Sequence, residues 1–114
     1  MNSKITLLHK SKKIHLNVKE LSEFGKVTGL MFSKREKARA LLFKFDKFTR
    51  LSIHSLFVFF EFLAIWTDDK GEILEIKKIK PFKFSVKPKK KFKNLIEVPF
   101  NKKYESVLRV LDES

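Results

Sequence analysis

Apolar side chains recur at every second position along much of this chain. Ile14, Leu16 and Val18 alternate with His15 and Asn17; Leu41, Phe43 and Phe45 alternate with Leu42, Lys44 and Asp46; Phe82, Phe84 and Val86 alternate with Lys83, Ser85 and Lys87. Successive side chains of a strand point to opposite faces, so a two-residue repeat buries one face of a sheet, whereas a helix needs repeats of three and four. Thirteen Phe residues among 114 add the aromatic character that suits a pleated surface. The expected fold class is mainly β (α+β), a compact antiparallel sheet or partly open barrel with short helices and a C-terminal helix.

Ile5 and Leu7, followed by polar residues 10–13 and then Ile14, predict a hairpin turning around Ser11, which would set His15 opposite Leu7. Residues 19–25 and 33–40, the latter with Ser33 as an N-cap, suit short helical turns. Residues 51–66 are dense in Phe, Val, Ile and Leu and predict one or two strands buried on both faces. The tetrad Asp68-Asp69-Lys70-Gly71 carries turn chemistry and leads into a strand over 72–79. Pro81 and Pro88 bracket residues 82–86, predicting an edge strand, and residues 92–98 predict another. Asn101 caps a helix whose Tyr104, Val107, Leu108 and Leu111 share one face. With no internal repeat, Gly- or Ser-rich linker or compositional break, one domain over 1–114 is expected, long enough to bury roughly two thirds of its unfolded surface.

The absence of Cys excludes disulfides and thiolate metal sites and agrees with a reducing compartment. The N-terminus has no continuous apolar leader, so a cytoplasmic location is expected. The longest apolar run, residues 56–66, holds Glu61 at its centre and falls short of the ~20 residues that carry a helix across a bilayer, so no transmembrane segment is expected.

Charge gives the strongest functional signal. Twenty-six Lys and Arg against 13 Asp and Glu leave a net charge of +13. Only Arg35, Arg39, Arg50 and Arg109 are Arg, and Lys, a hydrated point charge, favours attraction to a phosphate backbone over reading of bases. Lys77, Lys78, Lys80, Lys83, Lys87, Lys89, Lys90, Lys91 and Lys93 crowd one stretch that contains no acid. On a strand rising about 3.3 Å per residue, alternate lysines would match the spacing of phosphates along one nucleic-acid strand. Exposed, the interleaved Phe82, Phe84 and Phe92 would stack on unpaired bases; buried, they would leave the lysines as the solvated face of an edge strand. A strongly basic surface also serves solubility alone.

Chemistry-bearing residues are sparse. His9, His15 and His54 show no metal-ligand spacing, and Gly25, Gly29 and Gly71 form no phosphate-cradling loop, so neither a metal nor a cofactor is expected. His54 beside Ser52 and Ser55 lacks the third group of a triad. Glu61 and Glu97 interrupt apolar runs, where burial would raise a carboxyl pKa. An enzyme acting through His54, Glu61 or Glu97 would need them to converge in one pocket. Three functions therefore stay open: a polyanion (nucleic acid) binding module using the Lys-rich segment, a neutral structural or protein-interaction domain, and, third, such an enzyme.

Gly29-Leu30-Met31 followed by Ala40-Leu41-Leu42-Phe43 resembles the uncharacterised family called domain of unknown function 192, which carries Gly-Leu-Met and then Gly-Met-Leu-Phe. Residues 53–58 are similar to the His-containing strand of archaeal relatives, and Trp66 to Ile73 and Ile96-Glu97-Val98-Pro99 continue the likeness over about residues 25–101. The resemblance implies a compact, mostly antiparallel β fold with short helices, and no defined activity. The family's usual Pro-apolar-Asp is Glu61-Phe62-Leu63 here, and its Gly is Asn101, so the family's best candidate acid is missing.

Overall fold

The computed structural model describes residues 2–21, 30 and 33–112. Its strands are β1 (Asn2–His9), β2 (Lys12–Glu20), β3 (Leu41–Thr49), β4 (Phe62–Thr67), β5 (Ile73–Ile79) and β6 (Phe92–Pro99), followed by a 3-10 turn (Lys102–Tyr104) and helix α1 (Glu105–Leu111). They form one sheet in the order β1-β2-β3-β6-β4-β5, curled into a half-barrel. The mainly β expectation is borne out. The sheet is mixed, because β2 meets β3 in parallel through Lys19 and Glu20 while the other neighbours are antiparallel.

Lys10 and Ser11, at φ 51° and 68°, make a two-residue turn whose left-handed backbone matches the twist of paired strands. A turn of two residues rather than one centred on Ser11 shifts the register by one: Leu7 faces Ile14, and His15 faces Thr6 instead of Leu7. Beside this turn, at the same end of β1, the Leu8 N–H donates to the Gly71 carbonyl at 2.9 Å, and Leu8 makes an isolated parallel bridge to Glu72. Gly71 stands at φ 88°, closing the β4–β5 turn, in which the Asp68 carboxylate accepts from the Lys70 and Glu72 N–H groups.

Alternation sorts the sheet's side chains into two cores. Leu7, Ile14, Leu16, Val18, Leu42, Leu63, Ile65, Ile96 and Val98 fill the concave side with Tyr104, Leu108 and Leu111 of the C-terminal elements. Leu41, Phe43, Phe62, Ala64, Trp66, Phe92 and Leu95 face the other way, beneath Leu30, Ala38, Val58 and Phe60. With both faces covered, all of β4 is buried, as its unbroken apolarity predicts.

Asn101 ties the C-terminus down as expected of a cap: its Oδ1 accepts from the Lys103 N–H, while its Nδ2 donates to the Arg35 and Ala38 carbonyls. Residues 33–40 contribute a single turn, closed by the Ala38 N–H on the Lys34 carbonyl. β2 absorbs Lys19 and Glu20; the rest of the turn expected over 19–25, from Ser22 on, lies outside the described residues, as do Gly29 and Met31. Among the described residues no helix is long and apolar enough to cross a membrane.

Of the one or two strands expected over residues 51–66, β4 is the one that forms, and the strand expected over 82–86 is a loop. Residues 82–86 make one isolated bridge, Val86 to Ile53, and residues 51–61 hold no strand. Ser55 explains the difference. Its backbone N–H donates to the Lys83 carbonyl, its carbonyl accepts from the Phe82 N–H, and its hydroxyl accepts from the Lys83 N–H while donating to the Lys80 carbonyl. A side chain thus satisfies backbone groups that a ladder would otherwise pair. Phe57 and Phe82, at φ 60° and 64°, then turn each chain out of extended conformation. β5 consequently keeps a strand neighbour on one side only. Along its other side lie residues 87–89, tethered by the Lys77 ammonium on the Lys87 carbonyl and the Lys89 N–H on the Glu75 carboxylate.

Candidate polyanion site

The lysines of the 77–93 stretch divide into groups. Lys77, Lys78, Lys80 and Lys83 line one cleft of about 330 Å³ with Ile79 and Val86. β5 supplies the first two, and the loop that Ser55 folds back across it supplies Lys83. Lys77 lies 3.3 Å from the Glu75 carboxylate, and Lys78 lies 4.0 Å from Glu61 and 4.9 Å from the centre of the Phe100 ring. Lys80 and Lys83 have no acidic partner among the described residues, so they leave the cleft with uncompensated positive charge.

Lys87 and Lys89 belong to the tether beside β5, and Lys90 and Lys91 are exposed beyond it. Lys93 sits elsewhere, its ammonium on the Asp46 carbonyl and 5.7 Å from the Phe48 ring. The nine lysines are therefore not one stripe.

The aromatics also separate. Phe92 is buried against Trp66 and Phe45, which removes it from any stacking surface. Phe82 and Phe84 point outward, Phe84 with 82% of its surface exposed. Phe57 and Phe59, expected in a buried strand, are exposed as well, and Phe59 meets Phe82 edge-on at 5.5 Å between ring centres. Nothing in the local pattern of residues 51–61 marks those two rings, because their direction follows from the Ser55 contacts across the loop.

His54 and Glu61 lie in the segment before β4, and Glu97 lies within β6. His54 accepts the Leu56 N–H on Nδ1 within the loop. Glu97 stands opposite Ala64 on the face of the second core, and Glu61, one residue before Phe62, falls on the alternate face with Lys78. Glu97 is 5% exposed and has no hydrogen bond or ion pair among the described residues. Burial pushes its carboxyl from 4.5 up to about 8. The Trp66 Nε1–H, buried on the same face, likewise has no acceptor among the described residues.

His15 Nδ1 lies 3.0 Å from the Thr6 hydroxyl. Among the described residues no three His, Asp or Glu side chains are grouped to hold a metal ion.

Two solved structures share the fold. One is a Sinorhizobium meliloti 1021 protein provisionally described as a transcription regulator, with a TM-score of 0.75 and 16% identity over 87% of this chain and 81% of that one. The other is a protein of unknown function from Novosphingobium aromaticivorans DSM 12444, with a TM-score of 0.72 and 9% identity over 93% and 78%. No curated protein matches at a significant level. The sequence pattern of DUF192, described as Uncharacterized ACR, COG1430, matches residues 5–110, well beyond the motifs around Gly29, Trp66 and Glu97, and the chain belongs to that family.

Proposed function

We propose that this protein binds polyanions, nucleic acid above all, through the cleft lined by Lys77, Lys78, Lys80 and Lys83. The observation that carries this is that four lysines line one concavity, in which Lys80 and Lys83 have no carboxylate partner among the described residues. Lysines of the cleft that neutralise phosphates would release the cations condensed on the nucleic acid, and binding would weaken as salt rises. In a salt titration with a labelled single-stranded oligonucleotide, the double variant Lys80→Glu/Lys83→Glu should lose most of the affinity. The log-log slope should become shallower by about 1.4, or ~0.7 for each phosphate contact removed. Absence of binding at low salt would overturn the proposal. Lys89, Lys90 and Lys91 lie outside the cleft, so reversing them should matter less than reversing Lys80 and Lys83.

A neutral protein-interaction domain is the second reading, favoured by the exposed Leu51, Phe57, Phe59, Phe82 and Phe84. Its ligand would be a protein surface, held without dependence on salt.

A further inference from the structure

Phe82 and Phe84 flank Lys83 in the chain, and Lys83 lines the cleft. Cation and ring thus succeed one another along residues 82–84, as phosphate and base do along a single strand. Phe84 is 82% exposed and Phe82 52% exposed, although a buried position would gain far more from either ring. Phe82 stands at φ 64°, a left-handed conformation that an aromatic residue seldom adopts, and Phe57 in the facing loop stands at 60°. The backbone is fixed in that conformation by Ser55, whose carbonyl accepts the Phe82 N–H at 2.8 Å and whose hydroxyl accepts the Lys83 N–H at 2.7 Å. Phe59 supports Phe82 edge-on. These contacts hold Phe82 outward beside the positive cleft, and Phe84, two residues on, is exposed next to it.

We infer that Phe82 and Phe84 form a stacking platform that makes the lysine cleft selective for single-stranded nucleic acid with unpaired bases. This rests on the polyanion reading and adds to it a substrate class. A duplex offers the cleft the same phosphates but hides its base faces, so the rings contribute only when bases are free. A flat anionic membrane would also attract lysines and apolar rings, but it has no use for aromatic faces as such.

Fluorescence anisotropy at low salt with labelled oligo-deoxythymidine and with a duplex of equal length tests the inference. Single-strand binding should be the tighter. Phe84→Ala and Phe84→Leu should each weaken it on the order of tenfold and leave duplex binding unchanged, while Phe84→Trp should hold or raise it. Because Phe84 is so exposed, these variants should keep the wild-type circular dichroism spectrum. Equal binding of strand and duplex, with the Phe84 variants silent, would overturn the platform and leave the lysine cleft standing. Retention of single-strand affinity by Phe84→Leu would overturn it as well. Binding to phosphatidylserine vesicles that survives Phe84→Leu, without oligonucleotide binding, would overturn both proposals in favour of a membrane surface.

Discussion

The Tyr104 hydroxyl accepts the buried Ala40 N–H at 2.7 Å, joining the C-terminal turn to the residue just before β3, 64 positions earlier. With the ring itself packed in the first core, this bond joins the Asn101 contacts in fixing where the helical end packs on the sheet. Tyr104→Phe keeps the ring and removes the acceptor, leaving a buried donor unpaired. Destabilisation of about 1–3 kcal/mol is expected, read as a lowered urea midpoint with an unchanged m-value. An unshifted midpoint would mean that water replaces the hydroxyl without loss.

Glu97 should impose a pH dependence on stability. In the unfolded chain it loses its proton near 4.5, and in the folded chain burial holds the proton until about 8. Between those values the folded state binds a proton that the unfolded state has released, so stability falls as pH rises through the window and levels off above 8. The slope contributed by one such group is at most about 1.4 kcal/mol per pH unit. Denaturation of wild type and Glu97→Gln across this window should give curves that converge toward low pH and separate toward pH 8, with the variant gaining relative stability. Parallel curves would show that Glu97 does not titrate there.

A Cβ placed on Gly71 would come within 2.7 Å of the Thr6 carbonyl oxygen, and the residue stands at φ 88°. Gly71→Ala therefore faces both a backbone clash and an unfavourable conformation, a cost of about 1–3 kcal/mol. Because the Leu8 N–H donates to Gly71, its amide should exchange with deuterium faster in the variant while amides in the middle of β6 change little. Equal acceleration everywhere would point to global loss of stability instead of an opened seam.

The left-handed positions give an inverted substitution order. At Phe57 and Phe82 the ordinary advantage of Ala over Gly should reverse, with the Gly variant more stable than the Ala variant by about 1 kcal/mol at each site. Thermal melts of the four single variants check this. Ala equal to or above Gly would mean that the loops relax out of that conformation once the ring is gone.

Strands whose alternation is flanked by turn chemistry were readable from residues alone: β2, β3 and β6, and the Asp68–Gly71 turn with β5 after it. The C-terminal helical end followed from the spacing of Tyr104, Leu108 and Leu111, but Asn101 caps the 3-10 turn that holds Tyr104, and the α-helix itself begins only at Glu105. Residues 82–86 carry the same alternation yet form a loop, because Ser55 pairs with Lys80, Phe82 and Lys83 from far along the chain. That non-local contact has no sequence period. It also decides the direction of Phe57, Phe59, Phe82 and Phe84, so the site was legible as a lysine count and not as a cleft with rings beside it. Glu97 announced itself by its apolar neighbours, but its side of the sheet depended on the register with Ala64.

The one-sided pairing of β5 bears on solubility. An outermost strand rich in Ile and Leu invites fibrillar growth by addition of further strands, and what opposes that growth is the lysine-bearing segment tethered alongside it. Lysines there thus answer to colloidal solubility as well as to ligand affinity. Neutralising those charges should therefore be felt as aggregation even where no ligand is present.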